Sequence, residues 1–393
     1  MEQRWIMLLV LFLVRLAMGY QFQSVASISP QLARDLGLTY AEIGTLIGLF
    51  LLPGVFFAIP SGLVTRKFSN KNLLMAGAAL MIVGAFVMTA GGGTRFLFAG
   101  RLVAGVGGTL FNVILTKMVT EWFFEKEIVT ALAVMLTAWP IGISIGLVTQ
   151  GAVASAWGWP WAIHATAALA LVSLLLTAFV YRDAPPPPGA SAPFRLGLPW
   201  REFVHMCVVG AAWALFNACI ILMVSFMPDV FMSHGLEPER ARRVTGFALW
   251  ATLLSIPAGG RLMEKFGHIT MTVTVSLALA AALIAALAQG MSPAALAIAF
   301  GLVLGVPAGA LVALSSEAVT PVNRGPGLGI FYTGYYLGMT TFPSLGGALR
   351  DATGSAATPI HLAAGTLVAT LLCVLLFRAL QRAWPIAPTR IAS

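Results

Sequence analysis

The sequence predicts an all-α integral membrane protein, with twelve transmembrane helices in two pseudo-symmetric six-helix bundles. Three observations lead there. Of 393 residues, 59% are hydrophobic and only 9% charged, against about 25% charged in a soluble domain; the mean hydropathy is +0.90. Apolar runs long enough to cross a bilayer recur along the chain. The second half repeats turn landmarks of the first.

A spanning helix needs about 20 mostly apolar residues. Such runs fall at 5–32, 41–64, 72–90, 96–119, 128–153, 158–181, 203–227, 243–263, 269–288, 292–316, 327–348 and 359–380. The first starts after "MEQR" and holds one charge, Arg15. A signal peptide could look like this, but the repeat needs the segment as a helix, so cleavage is not expected. The second and third spans are joined by the basic stretch "GLVTRKFSNK", the fourth ends at "EWFFEKE", and the fifth contains "AWPIGISIG". After the sixth, 182–202 contains "DAPPPPGASAP", an extended Pro-rich linker that divides the chain into bundles 1–181 and 203–393. The eighth span runs into "GRLMEKFGH" and the eleventh into "GGALRDATG".

Basic residues give the expected orientation. Fifteen of 23 Lys and Arg, including all five Lys, fall on the side of the termini and linker, and seven on the other. That bias puts both termini in the cytoplasm of a multi-pass inner-membrane protein. The net charge of +9 therefore reads as topology, and nucleic acid is not an expected partner. Cys207, Cys219 and Cys373 each lie in an apolar run without a CxxC, so buried free thiols are expected.

Sliding the chain by 198 residues pairs Pro30 with Pro228, Gly37 with Gly235, Leu38 with Leu236, Gly48 with Gly246, Gly62 with Gly260, Lys67 with Lys265 and Phe68 with Phe266. Gly142 and Gly146 in one half, and Gly334 and Gly338 in the other, form small-xxx-small pairs that let helices approach closely. Two parallel repeats can rock about a site between them.

With these residues the chain resembles the major facilitator superfamily over essentially its whole length. The family signature between helices two and three, G-x-L-x-D-[RK]-x-G-x-[RK], is matched by Gly260, Leu262, Glu264, Lys265 and Gly267. In the first half Gly62, Lys67 and Lys71 fit, while Arg66 stands where the family has an acid and Ser69 where it has glycine. "RLVAGVGG" (101–108) fits the helix-four pattern R-x-x-x-G-x-G-G. The drug-antiporter Gly-Pro motif of helix five is missing, and the shape there is closer to the cyanate/nitroimidazole and nitrate/nitrite branches. The resemblance implies a transporter working by alternating access, not an enzyme; no cofactor is implied, and the chain is expected to be a monomer whose partners are a small molecule and lipid. A gating role is carried over to Gly62, Arg66, Lys67, Arg101, Gly105, Gly260, Glu264 and Lys265.

Arg15 is the most informative residue. Nine residues past Ile6, it lies about 14 Å deep at ~1.5 Å per residue, near the midplane of a core ~30 Å thick. Its fork suits a carboxylate or small oxyanion; the competing reading is a structural or snorkelling arginine. Phe22, Gln23, Asn112, Trp139, Trp213, Asn217, Tyr332, Tyr335 and Tyr336 are candidate neighbours, each with a packing reading beside the binding one; for Asn112 and Asn217 that is hydrogen bonding between helices. Arg101 could equally be an outer-end anchor. Glu121 and Glu317 are expected to pair with Arg66, Lys126 or Arg324 in a cytoplasmic gate, and Arg66 to leave the first-half contact weaker than the second. The acids Asp35, Glu42, Asp229 and Asp351 are expected outside. The alternatives are efflux of a neutral or cationic drug and, more remotely, a sensor or membrane enzyme on the same fold. No P-loop, HExxH, metal cluster or nucleophile elbow is present in the sequence.

Overall fold

The computed structural model describes residues 3–57, 68–91, 93–123, 127–184, 198–266, 268–290, 293–320 and 323–386, and among them no strand forms. The chain divides into two compact units, Met1–Ala192 and Pro193–Ser393.

The first unit holds eight described helices: α1 Gln3–Ser27, α2 Ser29–Leu36, α3 Tyr40–Leu49, α4 Leu52–Phe57, α5 Asn70–Met88, α6 Thr94–Trp122, α7 Ile128–Trp157 and α8 Trp159–Phe179. The turn chemistry explains the breaks. Pro30 opens α2, and Gly37, at φ +65°, closes it in the left-handed region that disfavours other residues. Thr39 and Glu42 form a reciprocal capping box at the start of α3. Pro53 supplies no N–H to α3, which ends at Leu49 before α4 resumes.

The second unit holds α9 Trp200–Ser233, α10 Pro238–Phe266, α11 Ile269–Ala288, α12 Pro293–Leu304, α13 Ala308–Glu317, α14 Arg324–Thr353 and α15 Thr358–Ala383. Its packing follows that of the first. α1 lies against α7 and α8, and α9 against α14 and α15; α5 lies against α6 and α8, and α11 against α12 and α15. Gly235, the repeat partner of Gly37, is also left-handed at φ +87°. The halves break at different places, though. The α1/α2 break has no counterpart in α9, which carries Pro228 inside 34 continuous residues. The expected span 203–227 is therefore too short; the helix is ~51 Å long at ~1.5 Å per residue.

Among the described residues, ten helical segments are long and apolar enough to cross a membrane, with α3–α4 and α12–α13 each counted as one. The remaining two expected spans, 243–263 and 327–348, fold as α10 and α14, but α10 opens with "PERARR" and α14 is rich in glycine and hydroxyls. Of the thiols, Cys219 is buried, but Cys207 is exposed and Cys373 half-buried. The expectation of three buried thiols fails because an apolar helix has an outward face as well as an inward one.

Candidate functional site

In the first unit most of the candidate residues lie along the seam between α1 and α7. Arg15, Gly19, Phe22 and Gln23 stand at i, i+4, i+7 and i+8, one stripe of α1. The helices meet there backbone to backbone. A Cβ on Gly19 would sit 2.6 Å from the Trp139 carbonyl oxygen, and one on Gly142 would strike the Leu16 carbonyl. This closeness brings the Phe22 and Trp139 rings to 5.0 Å, and Phe22 also meets Phe50 at 5.8 Å. Arg15 is half-buried on this stripe, and Gln23 is wholly buried.

Arg101, on α6, holds the stripe from the other side. It is fully buried. Its Nε donates to Leu46 O at 2.9 Å, Nη1 to Gln21 O at 3.0 Å and Ser24 Oγ at 3.3 Å, and Nη2 to Phe22 O at 2.6 Å. The guanidinium lies 4.7 Å over the Phe50 ring. The outer-end anchor reading does not describe this: the side chain ties α1, α3 and α6 together inside the protein. Gly105 allows it, since a Cβ there would lie 2.6 Å from the Phe50 carbonyl oxygen. Asn112 sits half-buried about three turns further along α6.

The second unit has an aromatic cluster. Trp213 on α9 stacks near-parallel with Phe216 (5.6 Å, 17°), Phe331 (6.0 Å, 15°) and Tyr335 (6.4 Å, 27°). Tyr332 and Tyr336 meet Tyr335 edge-on at 6.4 and 5.1 Å. Tyr336 is buried and Tyr332 exposed. The Asn217 amide bonds its own helix, donating to Trp213 O at 2.8 Å, as short polar side chains do with a carbonyl four residues back.

Among the described residues, the acids of the expected ion pairs take these partners. Glu121 accepts from Asn70 Nδ2 at 2.6 Å and lies 3.6 Å from Lys117. Glu317 pairs with Arg378 and accepts from Gln381 Nε2 at 3.2 Å. Both acids thus find partners on neighbouring helices of their own unit. Gly62, Arg66, Lys67 and Lys126 lie outside the described residues, as do the side chains of Glu264 and Arg324. Gly260 has nothing within 4 Å of a Cβ, and Lys265 is exposed near the end of α10. Lys71, from the basic loop, donates to Ala178 O at 2.8 Å and Tyr181 O at 3.1 Å. It therefore neutralises carbonyls at the end of α8, where a cation meets the negative end of the helix dipole.

Sequence reasoning missed several polar residues. Gln150, fully buried on α7, donates to Tyr20 O at 2.8 Å. Asp229 was expected in an outer loop, but is buried on α9 and paired with Arg350 of α14. Glu202, also buried, accepts from Thr320 Oγ1 at 3.1 Å and Asn323 Nδ2 at 2.8 Å. Each lies inside or beside an apolar run, and that position was the signal available. Among the described residues no group of three His, Cys, Asp or Glu side chains gathers to hold a metal.

Comparison with known proteins adds the following. The family profile described as Major Facilitator Superfamily matches residues 11–237 and 233–390. A protein named nitrite extrusion protein, from Bacillus subtilis, is 24% identical over 253 residues, 64% of this chain and 63% of that protein, so the match spans under two-thirds of it. A probable nitrate/nitrite transporter, NarK2 of Mycobacterium tuberculosis, is 26% identical over an alignment of 395 positions, 92% of this chain and 93% of that one. Among solved structures, a mutant of the nucleoside transporter NupG superposes with a TM-score of 0.72 at 17% identity, covering 96% of this chain and all of that one; the likeness is one of fold.

Proposed function

The chain belongs to the major facilitator superfamily, a family of multi-pass membrane transporters, and from that premise we propose that it moves a small anion across the bacterial inner membrane by alternating access, with Arg15 binding the anion. The observation that carries this is the position of Arg15. It sits half-buried in the middle of an apolar spanning helix, one turn from the Gly19–Trp139 contact and two turns from the Phe22–Trp139 ring pair. A guanidinium held at that depth marks a substrate or ion path, and its planar fork suits an oxyanion or carboxylate. The names of the nitrite and nitrate relatives support the charge of the substrate.

Two roles divide the first unit in this reading. Arg101 fixes the backbone of residues 21–24, and Arg15 meets the ligand. The second unit carries the aromatic cluster around Trp213. That cluster also supports a second reading, efflux of flat neutral or cationic compounds, because aromatic faces attract cations.

The test is exchange of a labelled small anion by purified protein in liposomes. Arg15→Gln reduces uptake at least tenfold while the protein keeps its size-exclusion profile. Full transport of the anion by Arg15→Gln, or transport only of organic cations by the wild type, would favour the second reading.

A further inference from the structure

Buried glutamines of the first unit carry polar atoms with no hydrogen-bond partner: Gln23 Nε2 and Oε1, Gln150 Oε1 and Gln21 Oε1. Two of these side chains pack against Gly146. A Cβ built on Gly146 would lie 3.2 Å from Gln23 Cβ and 3.4 Å from Gln150 Cδ. Gln150 cannot turn its amide round to help, because its Nε2 donates to Tyr20 O at 2.8 Å. Gln23 is bonded at neither end, and both residues are 0% exposed.

A buried amide without partners is costly, and in a native protein it calls for an explanation. Here the unmatched groups of Gln23 and Gln150 are two carbonyl oxygens and one NH2. A bare oxyanion has only acceptors. It could bond Gln23 Nε2 but would face both carbonyl oxygens with like partial charge. An anion that also carries a hydroxyl or N–H brings acceptors for the NH2 and a donor for one of the carbonyl oxygens.

We propose that Gln23, assisted by Gln150, is a specificity-determining residue, and that the substrate is a small organic anion bearing its own hydrogen-bond donor, such as a hydroxycarboxylate. The inference rests on the reading of Arg15 as the anion-binding residue. Gln23 lies on the same stripe of α1, about two turns on. The donor is matched when ligand reaches Gln23. Sites built to bond a substrate hydroxyl discriminate strongly against the analogue without one.

The experiment measures thermal shifts of the purified full-length protein with glycolate, acetate and nitrate as probes. In the wild type, glycolate stabilises at lower concentration than acetate or nitrate. Gln23→Met keeps the side-chain volume and lowers the glycolate-over-acetate preference about tenfold. Arg15→Gln removes the response to both. If Gln23→Met does not fold, Gly146→Ala places a methyl against both glutamines and lowers the same preference. An unchanged preference in the variant, with only a lower melting temperature, would show a structural amide and overturn the proposal. So would wild-type protein that binds nitrate or acetate as tightly as glycolate, although the anion site would then stand. Wild type that answers to none of the three anions, but to an organic cation, removes the anion reading itself.

Discussion

Arg15 and Arg101 are both guanidiniums inside apolar helices, and their surroundings assign them different work. Every nitrogen of Arg101 donates to an oxygen of α1 or α3. A lysine cannot reproduce that fan, since it has one nitrogen in place of three. Arg101→Ala is therefore expected to lower stability by about 3 kcal/mol or more, in the class of changes that break a buried network, and Arg101→Lys to recover little; unfolding followed in detergent checks both. Arg15 is expected to behave oppositely. Arg15→Lys keeps the charge and retains weak transport, and Arg15→Gln loses transport with the melting temperature nearly unchanged. A large loss of stability in Arg15→Gln would make it a structural arginine like Arg101.

At the scale of helices, the seam between α1 and α7 depends on bare backbone. Gly142→Val pushes a branched side chain into the Leu16 carbonyl and is expected to cost about 1–3 kcal/mol by overpacking, with loss of transport as Phe22 and Trp139 separate. Gly260 is the contrast. It belongs to the family's loop motif, yet a Cβ there meets nothing within 4 Å. Gly260→Ala lies in the interior of α10 and is expected to stabilise by up to about 1 kcal/mol; a fall in transport without a fall in stability would identify a contact made in another state of the cycle. Lys71 works at this scale too. Its bonds to Ala178 and Tyr181 fix the point where the chain leaves α8 for the Pro-rich segment.

For the whole molecule, the two units each carry their own polar contacts among the described residues. Glu121 bonds within the first and Glu317 within the second. Co-expressing 1–192 and 193–393 as separate chains is expected to retain transport, with the split falling in the Pro-rich segment; two insoluble halves would show that the covalent link is required for folding. The Lys and Arg bias predicts both termini on the cytoplasmic face. Reporter fusions at each end that report opposite sides would refute it.

Much was legible in the sequence because the lipid solvent leaves few solutions: apolar runs must be helices, and left-handed glycines such as Gly37 and Gly235 recur where a repeat turns. The family and the two bundles followed from those runs and motifs, and so did the choice of Arg15, since a charge at midplane depth is costly wherever it faces. Partner choice was not legible. Arg101 as a tie between three helices, Glu121 with Asn70, Asp229 with Arg350, and the open amide of Gln23 beside Gln150 all depend on which helix face meets which. A hydrogen bond needs its partner within about 3 Å, and spans placed only to within a few residues cannot fix a position that closely. The sequence alone determined a bundle of membrane helices with a cation in its first span; only the tertiary packing decided which buried polar groups are satisfied and which remain open.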